Sequence, residues 1–499
     1  MDSQTLRSII KSARDEMRKD AGSNTDVDRT PQITWMLFLK CFDDFEKKYE
    51  ALDKNYKQTI PNGYRWKDWA EEEDEKGNKK KVLTGTDLIK FVNDDLFPKL
   101  GSLVGGKGVE QRDIISAIFN QITNNIQSGF ILRKILNQIS KVNFISTDEI
   151  HTLADYYEQM LTEMRDAAGS NGEFYTPRPV IRFIVNVINP DLKKSQKILD
   201  PACGTGGFML ETLNHMAKQV KTKQDRKKLF EETIFGIEKK SMPFLLGMMN
   251  LLLHEVDSPN IANANTLGKP FRDITDENQY DVIVTNPPFG GAEEAELKSN
   301  LPTGMQTTET ATAFLLYIMY SLKDNGKCGI ILPNTQLFPK TGTIAKIKQK
   351  LLEEFNLHTI IRLPETVFEP YTAIATNILF FDKKGKTKDI WYYQMKVDER
   401  LKGASRAKNP KYTMSNPILY EDFEEVEKWL KDKKENENSW KVSVDDLDGT
   451  DLDLKNPSIV DETINLSPHE LIDSILKNEE KTMKLLRDVQ NLIKKEIPK

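Results

Sequence analysis

Asn286-Pro287-Pro288-Phe289 follows the apolar run Asp281-Val282-Ile283-Val284-Thr285, which predicts a buried strand. Neither proline can continue a central strand, because each lacks an amide donor and has a fixed φ. The chain must leave the sheet there, and in open α/β sheets ligands bind at that carboxyl edge. The residue types suit work on an exocyclic amine. The Asn286 side-chain oxygen and the Pro287 carbonyl can accept its two N–H groups, and Phe289 can stack on a flat ring. Read alone, the four residues fit equally well with a strand exit and a buried Phe.

A second motif lies upstream. Lys197-Ile198-Leu199-Asp200 leads into Pro201-Ala202-Cys203-Gly204-Thr205-Gly206-Gly207-Phe208, and a helical pattern follows through Met209, Leu210, Leu213 and Met216. This is strand, glycine turn, helix, in which glycines permit positive φ and close approach of a ligand. Neither the dinucleotide spacing nor a phosphate-binding G-x-x-x-x-G-K-[S/T] loop is present. Asp200 is a poor neighbour for a pyrophosphate and a good one for an ammonium, so a cofactor with an amino-acid end fits better. The next strand, Thr233 to Ile237, ends in Glu238, which can accept both ribose hydroxyls. Asn265, after the helix Phe244 to His254, can read an adenine edge. A lone Glu at a strand end is more often a solvated surface residue. The succession Asp200, Glu238, Asn265, Asn286 at strand ends is what argues for a site.

These two motifs resemble those of amino-methyltransferases that act on DNA adenine with S-adenosylmethionine. Gly172-Glu173-Phe174-Tyr175-Thr176-Pro177-Arg178-Pro179 resembles the segment those enzymes place over the methionine end of the cofactor. The chain is most similar to the modification (M) subunits of type I restriction-modification systems. The likeness continues through 357–364, 376–381, 391–393 and 451–457, and covers nearly the whole chain. It implies an α/β, Rossmann-like methyltransferase fold with a largely parallel sheet, an N-terminal helical domain and a C-terminal helical tail. It implies cofactor contacts from Glu173 to Arg178, with Tyr175 and Thr176 at the methionine end, Asp200 near the ammonium, Gly204, Thr205, Gly206 and Gly207 in the turn, Glu238 at the ribose and Asn265 at the adenine. It also implies catalysis by Asn286, Pro287, Pro288 and Phe289 on a flipped-out base, by direct displacement. Phe368 is the candidate for a second base-stacking aromatic. The implied partners are DNA, a specificity (S) subunit joining two copies of this chain, and a restriction (R) subunit.

The positioning elements follow. Residues 1–168 read as a helical domain, with Leu6, Ile9, Ile10, Ala13 and Met17 at helical spacing and a second amphipathic helix from Gln32 to Phe45. Tyr64 to Lys81 is a charged insertion. Residues 169–398 form the catalytic unit, with strands marked by Ile198, Ile234, Val282, Ile330, Ile360, Ile378 and Trp391. The polar stretch Glu294 to Glu309 reads as a loop at the active-site mouth. Residues 399–465 hold a basic stretch, Arg400 to Asn416, then an acidic helix from Tyr420 to Asn436. In 466–499, Ser467 to Glu470 is a capping box opening a helix striped with Ile472, Leu476, Met483, Leu486, Ile493 and Ile497. That stripe packs either on its own domain or on a partner.

With 499 residues at 38% hydrophobic content, the chain can build two or three cores. No apolar run approaches the ~20 residues that cross a bilayer, and Met1-Asp2-Ser3-Gln4 does not open a signal peptide. Three scattered cysteines fit a reduced, cytoplasmic setting, and five unclustered histidines argue against a metal site. Cys203 reads as a packing residue, since no nearby histidine could activate it. The net charge of −5 predicts weak DNA binding by the chain alone. Either a local basic face is hidden in the mixed charge, or another subunit brings the DNA; the second reading is favoured because no recognition domain is visible. Competing functions are N4-cytosine methylation, where Ser often replaces Asn, methylation of a protein glutamine amide, and a cofactor-binding scaffold without catalysis.

Overall fold

The computed structural model describes residues 3–22, 25–73, 76–106, 111–144, 154, 157, 161, 176–254, 256, 259–291, 294–368, 374–398, 401, 411–413, 416–458, and positions 472, 475–477, 479–480 and 482–487. Among the described residues nine strands form one sheet: β1 (Ile198–Asp200), β2 (Ile234–Glu238), β3 (Ile261–Asn263), β4 (Tyr280–Thr285), β5 (Leu322–Pro333), β6 (Asn356–Arg362), β7 (Thr376–Asp382), β8 (Asp389–Gln394) and β9 (Ser439–Ser443). Their spatial order is β3-β2-β1-β4-β5-β7-β6-β8-β9. β3 through β5 pair in parallel, as do β6 and β8; β7 and β9 run antiparallel to their neighbours. The expected largely parallel sheet is therefore present, with β7 inserted antiparallel and β9 added antiparallel at the edge. All seven marked strands form. β3 and β9 are additions, and β9 carries the sheet beyond residue 398.

Alternation along the strands separates two cores. Val282 and Val284 of β4, with Ile378 and Phe380 of β7, face one core. Ile283, Leu379 and Phe381 face the other. The first is covered by the helices Arg178–Ile188, Gly207–Ala217 and Ser241–Leu253, the second by Thr310–Ser321 and Gly342–Glu354. Burial on both faces explains why these strands read as unbroken apolar runs.

The N-terminal region is helical. The second amphipathic helix spans Asp26–Leu52, longer than Gln32 to Phe45, because Thr25 and Asp28 form a capping box. The charged insertion from Tyr64 to Lys81 contributes to the core, since Trp66 and Trp69 are buried. Between Tyr64 and Trp66, Arg65 is fully buried, its Nε donating to Asp43 Oδ1 at 2.8 Å and its Nη1 to Glu50 Oε1 at 2.6 Å. Glu46 Oε2 lies 3.5 Å from the same Nε, so three carboxylates share the guanidinium and losing one leaves two in place. Gln121 joins this region to the catalytic unit by bonding Asn263, at the end of β3, and Ser241.

The stretch Glu294 to Glu309 is not wholly irregular: Ala295–Asn300 is a 3-10 turn, anchored where Asn300 Nδ2 donates to the Leu267 carbonyl at 2.9 Å and Leu301 is buried. Most of the basic stretch from Arg400, including Lys402, Arg406 and Lys408, lies outside the described residues, as does the Ser467 capping box. The acidic helix spans Glu424–Asp432. In the C-terminal helix Ile472, Leu476, Met483 and Leu486 are exposed.

Candidate active site

β1 is the strand at which the chain reverses its direction across the sheet, with β2 and β3 on one side and β4 and β5 on the other. A crevice must open at the carboxyl ends of β1 and β4. The loop after β1 turns there because Gly204 and Gly206 take φ of 52° and 77°. The Ser241–Leu253 helix packs close beneath it: a Cβ on Gly247 would meet the Gly204 carbonyl at 2.9 Å. Asn250 Nδ2 donates to the Thr205 carbonyl at 3.0 Å, and Thr266 Oγ1 to the Pro201 carbonyl at 2.5 Å. The turn is thus clamped from both sides.

The crevice is a cavity of about 290 Å³. The sequence-predicted residues Thr176, Arg178, Asp200, Gly204, Thr205, Gly207, Glu238, Asn265, Asn286 and Pro288 all line it. Pro177, Gly206, Pro287 and Phe289 belong to the same segments without lining it. Glu173, Phe174 and Tyr175 lie outside the described residues. Residues that the sequence did not point to complete the walls, among them Ile181, Ile237, Lys240, Thr310 and Phe314.

Two carboxylates face the cavity. Asp200 is buried and its pKa is raised to about 7 by desolvation, although the Thr285 hydroxyl donates to it at 2.7 Å and the Ala202 amide at 3.1 Å. Burial also raises Glu238, whose two oxygens accept from the Gly204 amide at 3.0 Å and the Lys240 amide at 2.7 Å. The Lys239 amide bonds the same carboxylate, and three donors on about four acceptor sites leave room for a further one. Asn265 Oδ1 accepts from the Leu267 amide at 3.0 Å, which fixes its side chain in its own turn. Cys203 is buried, and burial pushes its thiol well above the usual range, so it stays protonated.

Asn286 is held by one bond. Its Nδ2 donates to Thr176 Oγ1 at 2.9 Å, while its Oδ1 is buried with no hydrogen-bond partner among the described residues. An unpaired buried acceptor costs roughly 1–3 kcal/mol, so the site carries an acceptor waiting for a donor. Phe289 is half-buried and meets the buried Phe368 edge-to-face, ring centroids 5.5 Å apart. Thr176 and Thr285 were not singled out for these bonds by spacing, since each joins segments far apart in the chain.

Comparisons with known proteins agree with this geometry. The N-6 DNA methylase family matches residues 148–465, and the HsdM N-terminal domain matches residues 6–149. The EcoEI type I methylase subunit of Escherichia coli is 42% identical over 94% of this chain and 93% of its own length. A modification subunit of a putative type I restriction enzyme from Vibrio vulnificus YJ016 superposes with TM-score 0.78 at 43% identity, over 93% of this chain and 99% of that one. A chain from a study of complex assembly and conformational transition in the type I R-M system matches over the full length of both chains, with TM-score 0.80 at 33% identity. No helix among the described residues is long and apolar enough to cross a membrane. With the glycine turn, the strand-end carboxylates and Asn-Pro-Pro-Phe gathered in one cavity, the chain belongs to the N-6 DNA methylase family, as a type I restriction-modification methylase subunit.

Proposed function

We propose that this chain transfers a methyl group from S-adenosylmethionine to the N6 amino group of adenine, with Asn286 as acceptor for the target amine. One observation carries the reading: Asn286 Oδ1 is a buried acceptor without a partner among the described residues, in a side chain that lines the cavity and is oriented by Thr176. An adenine amine supplies the missing donor. The Pro287 carbonyl takes the second N–H. Two acceptors on one nitrogen favour its tetrahedral form and aim its lone pair, which is orientation plus electrostatic preorganisation without a covalent intermediate. The base is flipped from the duplex to reach this depth, and Phe289 and Phe368 form an aromatic wall beside it.

The cavity fits the cofactor. The glycine turn leaves room against the backbone, Asp200 offers charge to an ammonium, Glu238 keeps acceptor capacity for a ribose hydroxyl, and Asn265 keeps its amide donors for a purine edge. When bound, the cofactor supplies an electrophilic sulfonium methyl. Thr176 and Arg178 hold its amino-acid end, together with Glu173, Phe174 and Tyr175, and Ile181 and Phe314 exclude water from the apolar wall.

The same reading gives the chain a cytoplasmic place with DNA, in a complex where a specificity subunit recruits two copies. A restriction subunit joins the same assembly. The exposed apolar positions of the C-terminal helix support docking on a partner. The test compares the full chain and a chain ending at residue 466, each alone and with the specificity subunit, by site-specific methylation and light scattering. Methylation of a defined site by the full chain alone contradicts partner dependence. Normal assembly of the shortened chain contradicts the role of the helix.

A further inference from the structure

The edge of the sheet opposite the cavity carries a concentration of positive charge that the net charge of −5 conceals. β6 and β8 begin there, β7 ends there, and the turn between β7 and β8 reverses tightly with Gly385 at φ 122°. That turn carries Lys384, Lys386 and Lys388. With Lys433, His358 and Trp391 they line a recess of about 440 Å³. Lys433 follows the acidic helix in a left-handed conformation, φ 45°. Its Nζ donates to Thr359 Oγ1 at 2.7 Å and lies 3.4 Å from His358 Nδ1. Burial pushes His358 down to about 4, helped by Lys433, so the imidazole is neutral and adds an acceptor rather than a charge.

Two aspartates are close by, and each already has a cation. Asp382 takes Lys384 at 3.3 Å, and Asp389, which lines the recess, takes Lys441 at 3.5 Å. Lys386, Lys388 and Lys433 make no ion pair among the described residues. A second recess of about 440 Å³ lies along the same edge, where Lys327 of β5 pairs with Asp382 of β7, with Lys193, Lys194, Lys221 and Lys327 against one carboxylate, Asp191, which lies 3.9 Å from Lys194. Lys327 links the two recesses: after burial, Lys384 from one and Lys194 from the other depress its pKa.

We propose that this edge is a second polyanion-binding surface, which takes the phosphate backbone of duplex DNA lying outside the modified site. Two adjacent recesses of like charge suit a polymer with repeating phosphates better than a single small anion. Among the described residues neither recess has an arginine, the residue whose planar fork pairs bidentately with the carboxylates of an acidic protein. Lysine ammonium groups on an exposed turn are point charges that follow a backbone without reading bases. The contact adds non-specific affinity, independent of the catalytic pocket at the opposite edge.

The experiment measures anisotropy of a labelled duplex without the recognition site, titrated with the full chain across a salt series. The double variant Lys386→Glu/Lys388→Glu changes only exposed turn positions; Lys433→Met probes the half-buried cation separately. The double variant is expected to bind at least tenfold more weakly at low salt and to lose about 2 from the slope of log affinity against log salt. Lys433→Met loses about 1. Methylation of a short duplex carrying the site, by the variant assembled with its specificity subunit, keeps its kcat, which separates this surface from the active-site reading. Unchanged affinity and slope in both variants overturn the proposal. Polyglutamate displacing the duplex as well as unlabelled DNA does overturns it in favour of an acidic protein, and binding of inorganic phosphate without binding of duplex overturns it in favour of a small anion.

Discussion

Thr176→Val tests whether the orientation of Asn286 matters for transfer. The substitution keeps the shape of the side chain and removes the acceptor that holds Asn286 Nδ2 at 2.9 Å. In the native protein that bond favours the rotamer that leaves Oδ1 free for a donor. Without it, the same rotamer leaves a largely buried N–H group unpaired, a penalty of roughly 1–3 kcal/mol. The amide then turns to other partners, and the productive rotamer becomes rarer by about 5- to 150-fold. The single-turnover rate falls by that factor. Thr176→Ser keeps the hydroxyl and stays within about threefold of the wild-type rate, a change no larger than one weak hydrogen bond. The assay follows labelled methyl transfer to duplex DNA in the assembled complex at saturating cofactor, with cofactor affinity measured separately by calorimetry. A valine variant that transfers at the wild-type rate while binding cofactor poorly would refute the reasoning, and would leave Thr176 a cofactor contact alone.

Asn286→Ala should lower transfer by on the order of a hundredfold or more while cofactor affinity, read by calorimetry, stays nearly intact, because the lost acceptor serves the amine. Glu238→Gln should weaken cofactor binding by about 1.5–3 kcal/mol, the range for hydrogen bonds to a charged group, with a smaller effect on turnover at saturation. Burial pushes Asp200 up to about 7. A bound ammonium favours the charged carboxylate, so binding releases a proton below that value. Affinity should therefore rise with pH up to about 7 and then level, by at most about tenfold per unit, and the rise should vanish in Asp200→Asn. Equal pH dependence in the variant would assign the titration elsewhere. In the N-terminal region, Asp43→Ala should destabilise the fold by about 1–3 kcal/mol in thermal or urea unfolding, because the buried Arg65 Nε–H loses its acceptor while Glu46 and Glu50 still balance the charge.

Sequence and structure agree where burial leaves a periodic trace. β1, β7 and the Val282–Thr285 and Cys328–Pro333 parts of β4 and β5 are covered on both faces, so their residues form apolar runs. β3 has three residues, too few for any period, and β9 is the mixed Ser-Trp-Lys-Val-Ser, whose place is set by Trp440 stacking on Tyr392 at 5.2 Å. The strand-end residues were legible because a parallel sheet gathers its carboxyl ends, so Asp200, Glu238, Asn265 and Asn286 had to converge. The bonds that aim them were not. Thr176 meets Asn286 across 110 positions and Thr285 meets Asp200 across 85, which depends on how a loop and neighbouring strands are seated. Arg65 was hidden for a similar reason: its carboxylate partners come from a helix whose charged face reads as solvated. The lysine edge was hidden by composition, since acidic residues elsewhere cancel it in the total.

The central claim is that the acceptor pair at Asn286 and Pro287 presents an adenine amine for methylation. Its most direct test is to methylate duplex DNA with the assembled complex and isotopically labelled S-adenosylmethionine, digest the product to nucleosides and identify the labelled species by mass spectrometry. The account predicts label in N6-methyldeoxyadenosine alone, and its loss with Asn286→Ala. Label in N4-methyldeoxycytidine, label in protein rather than DNA, or undiminished N6-methyldeoxyadenosine from the Asn286→Ala complex would contradict it.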